Sequence, residues 1–412
     1  MMNPRSPSAL ASEAPDDRTH EPGAPAALRV VSPDLLRRLR SPVERFALSF
    51  CELTVNVDSM HRGTRAVITR YLSPLVLVGE PVPDPVLTVE LRCGGRADVD
   101  AYTVSAMSRT PYLQFAETGA RLTILAREDG ATVALRAGEA DTDELLVIAR
   151  PSDRRFVLAF DHLTAGAERA LARQMKFVLG SLARKRGAVV VHAAAVDDDG
   201  SALLIVGDRG AGKSSLSFLA TTLLGWRFVS DDLIFARPAG AGLAVTGWPN
   251  RVTIGANLLH RHPSAERIAS SALRRYPQGL AKLPAAGSWA PDQRRRIYVD
   301  LDELFDLVDV VGTHRSSAVG VVFPCAVQDL RGWDVRPASR DGSWVQPNRA
   351  NLRQLRYAED FLSLLPDAPF RDDSNATIEA MDALPAVEVR YGPDVNDDFA
   401  AFWADVVGAL DR

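Results

Sequence analysis

Eight residues, Gly207-Asp208-Arg209-Gly210-Ala211-Gly212-Lys213-Ser214, carry the pattern GxxxxGK[ST] and constrain this chain more than any other segment. The pattern works only where a strand delivers the chain into a glycine turn and a helix leaves it. Glycine lets successive backbone N–H groups point inward as an anion nest, and the N-terminal end of the helix favours the same anion. The flanks comply. SALLIVG before the loop reads as a strand, and a helix is predicted from Ser214 to about Leu224, ended by Gly225. The Lys213 ammonium would reach terminal phosphates and the Ser214 hydroxyl would hold Mg²⁺, with Ser215 in the same first turn. ATP with Mg²⁺ is therefore the expected ligand, and the absence of an NKxD motif favours ATP over GTP.

The lysine at that position stands against a bias. Of 48 basic residues only Lys176, Lys185, Lys213 and Lys282 are lysines. Arginine cannot imitate a compact ammonium among phosphate oxygens, so each retained lysine invites a functional question. Lys282, in GLAKLPAAGSWAPDQRRRIYVD, is either a second compact charge for transfer or a solvated side chain.

Phosphoryl transfer also needs carboxylates to hold metal and to take a proton from an attacking hydroxyl. Asp231 and Asp232 lie 18 and 19 residues beyond Lys213, where an adjacent strand would bring them beside the loop. Strand alternation sends the two side chains to opposite faces, and we assign Asp231 to metal and Asp232 to the base. His192 interrupts the apolar strand GAVVVHAAAV, which is expected to form a hairpin with the strand feeding the loop through Asp197-Asp198-Asp199-Gly200. It reads either as a phosphate or carboxylate partner or as a core histidine.

Around this centre the chain divides into four. Residues 1–42 are rich in Pro, Ala and Ser and read as mostly disordered, with one short helix at SPDLLRRLR. Residues 43–160 form short runs such as FALSFCELTVNV, VLTVELRCG and ELLVIARPSDRRFVLAF, a β-rich domain. Residues 161–187 read as a connecting helix with Leu171, Met175, Val178 and Leu182 on one face. Residues 188–412 hold the loop domain and end in an amphipathic helix, DDFAAFWADVVGALDR. A fragment starting near Ala165 is expected to fold and bind ATP, because strand, loop and helix all come after that point. The formal charge of −4 and the spread of arginine argue against a nucleic-acid or membrane-surface partner. Three scattered cysteines, Cys51, Cys93 and Cys325, read as buried thiols; with no apolar run long enough for a span and no leader-like start, a cytoplasmic protein is expected.

The ensemble VVVHAAAV, LLIVGDRGAGKSSLSF and GWRFVSDDLIF resembles the HPr kinase/phosphorylase superfamily, which is structurally similar to phosphoenolpyruvate carboxykinase. The match covers about residues 185 to 240, and LPAVEVRYG near 384 to 392 looks like the late strand of that group. The resemblance implies an α/β P-loop kinase domain for the part of the chain that the smaller β-rich domain precedes. It implies Lys213 and Ser214 for phosphate and Mg²⁺, Asp232 as catalytic acid/base, and His192 as the upstream histidine. Three departures are visible. The family's later Glu-Arg-Gly segment is replaced by GWPNRVTIGANLL, Ser215 stands where bifunctional members carry an acid, and the N-terminal β-rich domain has no recognisable match in the family. The implied activity is that of a kinase acting on a hydroxyl, with Ser or Thr of a protein or peptide as the implied acceptor. A small-alcohol kinase and a nucleotide-dependent regulatory module remain the alternatives, and the residues leave a homo-oligomeric state open.

Overall fold

A computed structural model describes residues 42–93, 113–114, 121–128, 131–136, 145–160, 162–208, 210–240, 242–255, 258, 262–275, 296–338 and 374–411. The expected short helix within 32–40, Arg209 and Lys282 lie outside the described residues. Among these residues the chain is a mixed α/β protein with two large sheets, a two-stranded sheet and seven α-helices.

The first sheet contains β1 (Glu44–Phe50), β2 (Leu53–Ser59), β3 (Leu77–Gly79), β4 (Leu87–Cys93), β5 (Leu113–Gln114), β6 (Arg121–Glu128), β7 (Ala131–Arg136), β8 (Leu145–Arg150) and β9 (Arg155–Phe160). Their order is β3-β1-β2-β4-β9-β8-β7-β6-β5. In β2 the alternation LTVNVDS places Leu53, Val55 and Val57 in the core while Thr54, Asn56 and Asp58 face outward. Helix α1 (Thr64–Leu72) fills the crossover that makes β2 and β4 parallel.

Helix α2 (Ala165–Lys185) leads to the second sheet, its start capped by the Thr164 side chain accepting from the Ala167 N–H. Leu171, Met175, Val178 and Leu182 are all fully buried. The helix is buried on its other faces too, because it shares one core with Phe46, Leu48, Phe156 and Leu158 of the first sheet and with Phe235 and Trp248 beyond. Phe50 of β1 packs edge-on against Phe235 at 5.2 Å and Trp248 at 5.8 Å between ring centroids.

The second sheet contains β10 (Val189–Val191), β11 (Ala193–Asp198), β12 (Ser201–Val206), β13 (Arg227–Ser230), β14 (Ile234–Ala239), β15 (Gly242–Gly247), β18 (Ser316–Ala326), β19 (Trp333–Pro337) and β20 (Ala386–Tyr391). β16 (Val252–Gly255) and β17 (Arg296–Val299) pair with each other. The pairings close on themselves: β11 pairs with β12, β12 with β18, β18 with β15, β15 with β14, and β14 with β10, which runs on into β11. Inside the circuit sit small residues, Ala193, Ala195, Ala202 and Ala236 among Val191, Leu204 and Val245. Outside pack α3 (Lys213–Leu224) and α7 (Phe399–Leu410); α4 (Ala265–Arg275), α5 (Leu301–Val308) and α6 (Ser374–Asp382) complete the helices.

The cysteine expectation is corrected. Cys325 is exposed, and Cys51 and Cys93 are only half-buried; all three are free thiols, set on turns and strand ends rather than in strand interiors.

Because α2 is covered from both sides, a fragment beginning at Ala165 would expose the face carrying Met175, Val178 and Leu182. The packing leads to a different expectation from the one drawn from the sequence. Residues 165–412 alone should aggregate or melt without a sharp transition, as followed by circular dichroism; a soluble fragment with a cooperative melt would show the first sheet to be dispensable.

Candidate functional site

The glycine loop that follows β12 is built from its two sides. β11 and β12 form an antiparallel hairpin in which Ala193 faces Val206, so His192 stands across from Gly207 at the loop entrance. The connecting turn uses left-handed residues, Asp199 at φ 45° and Gly200 at φ 95°. At the loop Gly210 and Gly212 have φ of 90° and 111°, conformations that a side chain would strain. Gly212 is constrained twice, since a Cβ there would lie 1.9 Å from the Tyr391 hydroxyl oxygen. That hydroxyl is buried without a hydrogen-bond partner among the described residues, and burial, then the nearby Cys325, pushes the phenol above its ordinary range.

Lys213 is buried and folds across the loop, its Nζ donating to Gly207 O at 2.7 Å and Asp208 O at 3.2 Å. The Ala211 N–H donates to Asp208 O at 3.1 Å, and the Ala326 N–H at the end of β18 donates to Ala211 O at 3.1 Å. Helix α3 starts at Gly212 with no side-chain cap and no acid in its first turn. Its first amides have no acceptor within the helix, and the turn carries no carboxylate, conditions under which a helix N-terminus can accept an anion. Asp208 is exposed at the rim, while Ser214 and Ser215 are half-buried in that first turn.

The carboxylates arrive by a shared interruption. β13 pairs antiparallel with β11, and β14 with β10. Both ladders stop at the same level, leaving His192-Ala193-Ala194 on one side and Asp231-Asp232-Leu233 on the other outside the pairing. The released turn lies against the start of α3, where Ser214 Oγ donates to Asp231 O at 3.3 Å. Asp232 points toward His192, with 3.2 Å between Oδ1 and Nε2, and both side chains are partly exposed. Asp231 turns inward, 3 % exposed, and its Oδ2 accepts the Thr253 N–H at 2.9 Å. The structure therefore brings Lys213, Ser214, Asp231, Asp232 and His192 together. It corrects one detail: β13 is not the neighbour of β12, since β11 runs between them, and the turn reaches the loop by crossing over the His192 break.

Burial pushes the Asp231 carboxyl up to about 7. The Thr253 hydrogen bond opposes the rise, the Asp232 charge adds to it, and Lys213, more weakly, lowers it. Ser214 and the two carboxylates are oxygen donors of the kind Mg²⁺ takes together with nucleotide phosphates. Among the described residues no three His, Cys, Asp or Glu side chains converge as a preformed metal centre.

Three contributors are not announced by the sequence. Thr253 acts through its backbone N–H, which no side-chain pattern marks. Tyr391 ends an apolar strand and reads as core. Lys176, on α2, donates to Pro249 O at 3.0 Å and Asn250 Oδ1 at 3.2 Å. It thereby holds the segment whose Trp248 N–H binds Leu233 O at 3.0 Å and whose Thr253 binds Asp231, so the aspartate turn is gripped from both ends. For Lys176 the scarcity of lysine raises the question in the sequence, but nothing there gives the contact it makes.

The sequence matches no known family model, and no curated protein matches it.

Asp231 makes the stability of the fold depend on pH. Its folded pKa of about 7 lies above the unfolded value of about 3.9, so folding favours the protonated form. That contribution is complete below about pH 4 and is lost as the pH rises to about 7, by at most about 1.4 kcal/mol per pH unit. In Asp231→Asn, which keeps an acceptor for Thr253, melting temperature relative to wild type should climb from about pH 5 to about pH 7 and then level off. A difference independent of pH would mean that Asp231 is ionised throughout.

Proposed function

We propose that this chain is an ATP-dependent phosphotransferase of the HPr-kinase-like type, acting on a hydroxyl in a compartment supplied with ATP, the cytoplasm. The observation that carries the reading is the 3.3 Å hydrogen bond from Ser214 to the Asp231 carbonyl, which joins the anion-binding loop to a carboxylate turn. A loop alone would argue for binding. A carboxylate beside it supplies what transfer requires.

In this reading the α3 amides and Lys213 hold the terminal phosphates, and Ser214 and Asp231 would hold Mg²⁺, which would supply charge neutralisation at the phosphates. Asp232 takes the proton from the acceptor hydroxyl as its oxygen bonds to the γ-phosphorus. The bond from that phosphorus to the β,γ-bridging oxygen breaks, and ADP leaves with the electron pair. His192, 3.2 Å from Asp232, orients the carboxylate through that contact. The inward turn of Asp231 leaves Asp232 as the carboxylate open to an acceptor. The class of acceptor, Ser or Thr of a protein or peptide, rests on the family resemblance, and a small alcohol is the competing substrate.

The test is transfer from γ-labelled ATP with Mg²⁺ to proteins and small alcohols made by neighbouring genes. Asp232→Asn should keep ATP binding and lower transfer by roughly 10²- to 10⁴-fold, the size of a general-base effect. Lys213→Ala should abolish turnover. Wild-type turnover in Lys213→Ala would place the chemistry elsewhere, and ATP binding without transfer to any acceptor would favour a regulatory module.

A further inference from the structure

A second cluster of charge lies where the first sheet meets the second. The β1–β2 connection is a two-residue turn, and Cys51 and Glu52 occupy it at φ of 50° and 61°. Hairpin turns of this kind call for Asn or Gly, and two ordinary side chains held there signal a constraint beyond turning the chain. The turn delivers the Glu52 carboxylate between two guanidiniums, Arg237 of β14 and Arg315 just before β18, and pairs with both. Beside them is a cavity of about 130 Å³ that these three residues line together with His314. Its remaining wall includes Phe50, Leu77 and Phe235, which are apolar.

The charge in this cavity does not balance. Two guanidiniums face one carboxylate. The residue Cys51 is half-accessible, but desolvation of its thiol beside the cavity raises it above its ordinary range, so it adds no negative charge. The volume is far above the roughly 10–15 Å³ that a single water requires, and it admits a small organic molecule. Arg237, Arg315 and Glu52 are all partly exposed, so the cavity can be reached from solvent. Paired guanidiniums match the oxygens of a phosphate or carboxylate head, and Glu52 already demonstrates the fit of one such head.

We propose that this cavity is a binding site for a small organic anion, a phosphomonoester or carboxylate whose head joins Arg237 and Arg315 and whose carbon lies on the apolar wall. Glu52 is its built-in competitor. The occupant would bridge the first sheet to β14, the strand that begins two residues after Asp232. The site is separate from the phosphate loop, and the proposal does not depend on the chain being a kinase.

Isothermal titration of the full chain with glycerol phosphate, inorganic phosphate and succinate, at constant ionic strength, tests it. At least one probe should bind wild type and the Lys213→Ala variant alike. Glu52→Gln should bind it roughly tenfold more tightly, because one close competing charge is gone, and Arg315→Gln roughly tenfold more weakly. Binding that disappears in Lys213→Ala would assign the anion to the phosphate loop and overturn the proposal. So would equal or weaker binding by Glu52→Gln, which decides the matter by itself if Arg315→Gln does not fold. Absence of binding by all three probes in both wild type and Glu52→Gln would overturn it as well.

Discussion

The candidate site depends on one long antiparallel pairing, residues 189–198 against 227–239, and on the place where it stops. Val191 still faces Ile234 and Ala195 faces Ser230, but between these levels neither strand continues the ladder. An unbroken pairing would fix Asp231 and Asp232 as alternating strand residues. The break frees them as a turn, with one carboxylate directed inward and the other toward His192. Backbone groups released by such a break need other partners. Here Leu233 O accepts from the Trp248 N–H and from Ser230 Oγ, and Asp231 O accepts from Ser214. The same bonds that satisfy the turn attach it to the start of α3 on one side and to the segment 248–253 on the other.

That arrangement divides the labour of two adjacent acids. Asp231 is enclosed, so its charge is costly until a cation or donor compensates it; Asp232 keeps contact with solvent and with His192. Neighbouring residues of the same type thus differ in how freely each can carry charge, and burial makes the difference. The grip on their turn extends further, through Lys176 to α2 and from α2 to the first sheet. The β-rich half of the chain therefore supports the carboxylates mechanically, through shared packing.

Much of this was legible in the sequence because the signals were local. The glycines at 210 and 212, the strand before them and Gly225 after the helix all state backbone requirements directly, and α3 ends at Leu224 with Gly225 in a left-handed cap. Helix α2 was legible on one face only. Away from that face stand Gly180 and Ala183, small residues that hydropathy barely registers. Smallness there is a packing requirement, for a Cβ on Gly180 would lie 2.8 Å from the Trp248 ring. A continuous core therefore stands where the sequence suggested a separable fragment. Within the site, side-chain chemistry identified Lys213, Ser214 and the aspartates as candidates, whereas the Thr253 amide and the Tyr391 contact with Gly212 arise from tertiary packing that no short pattern encodes.

The proposed phosphate nest at residues 210–215, joined to the aspartate turn, makes a prediction that hydrogen–deuterium exchange of the full chain, with and without ATP and Mg²⁺, tests most directly. Nucleotide should slow exchange at the amides of residues 210–215 and of the 231–233 turn together, with little change in the first sheet. Unchanged exchange at residues 210–215 under saturating nucleotide, or protection confined to another part of the chain, would contradict it.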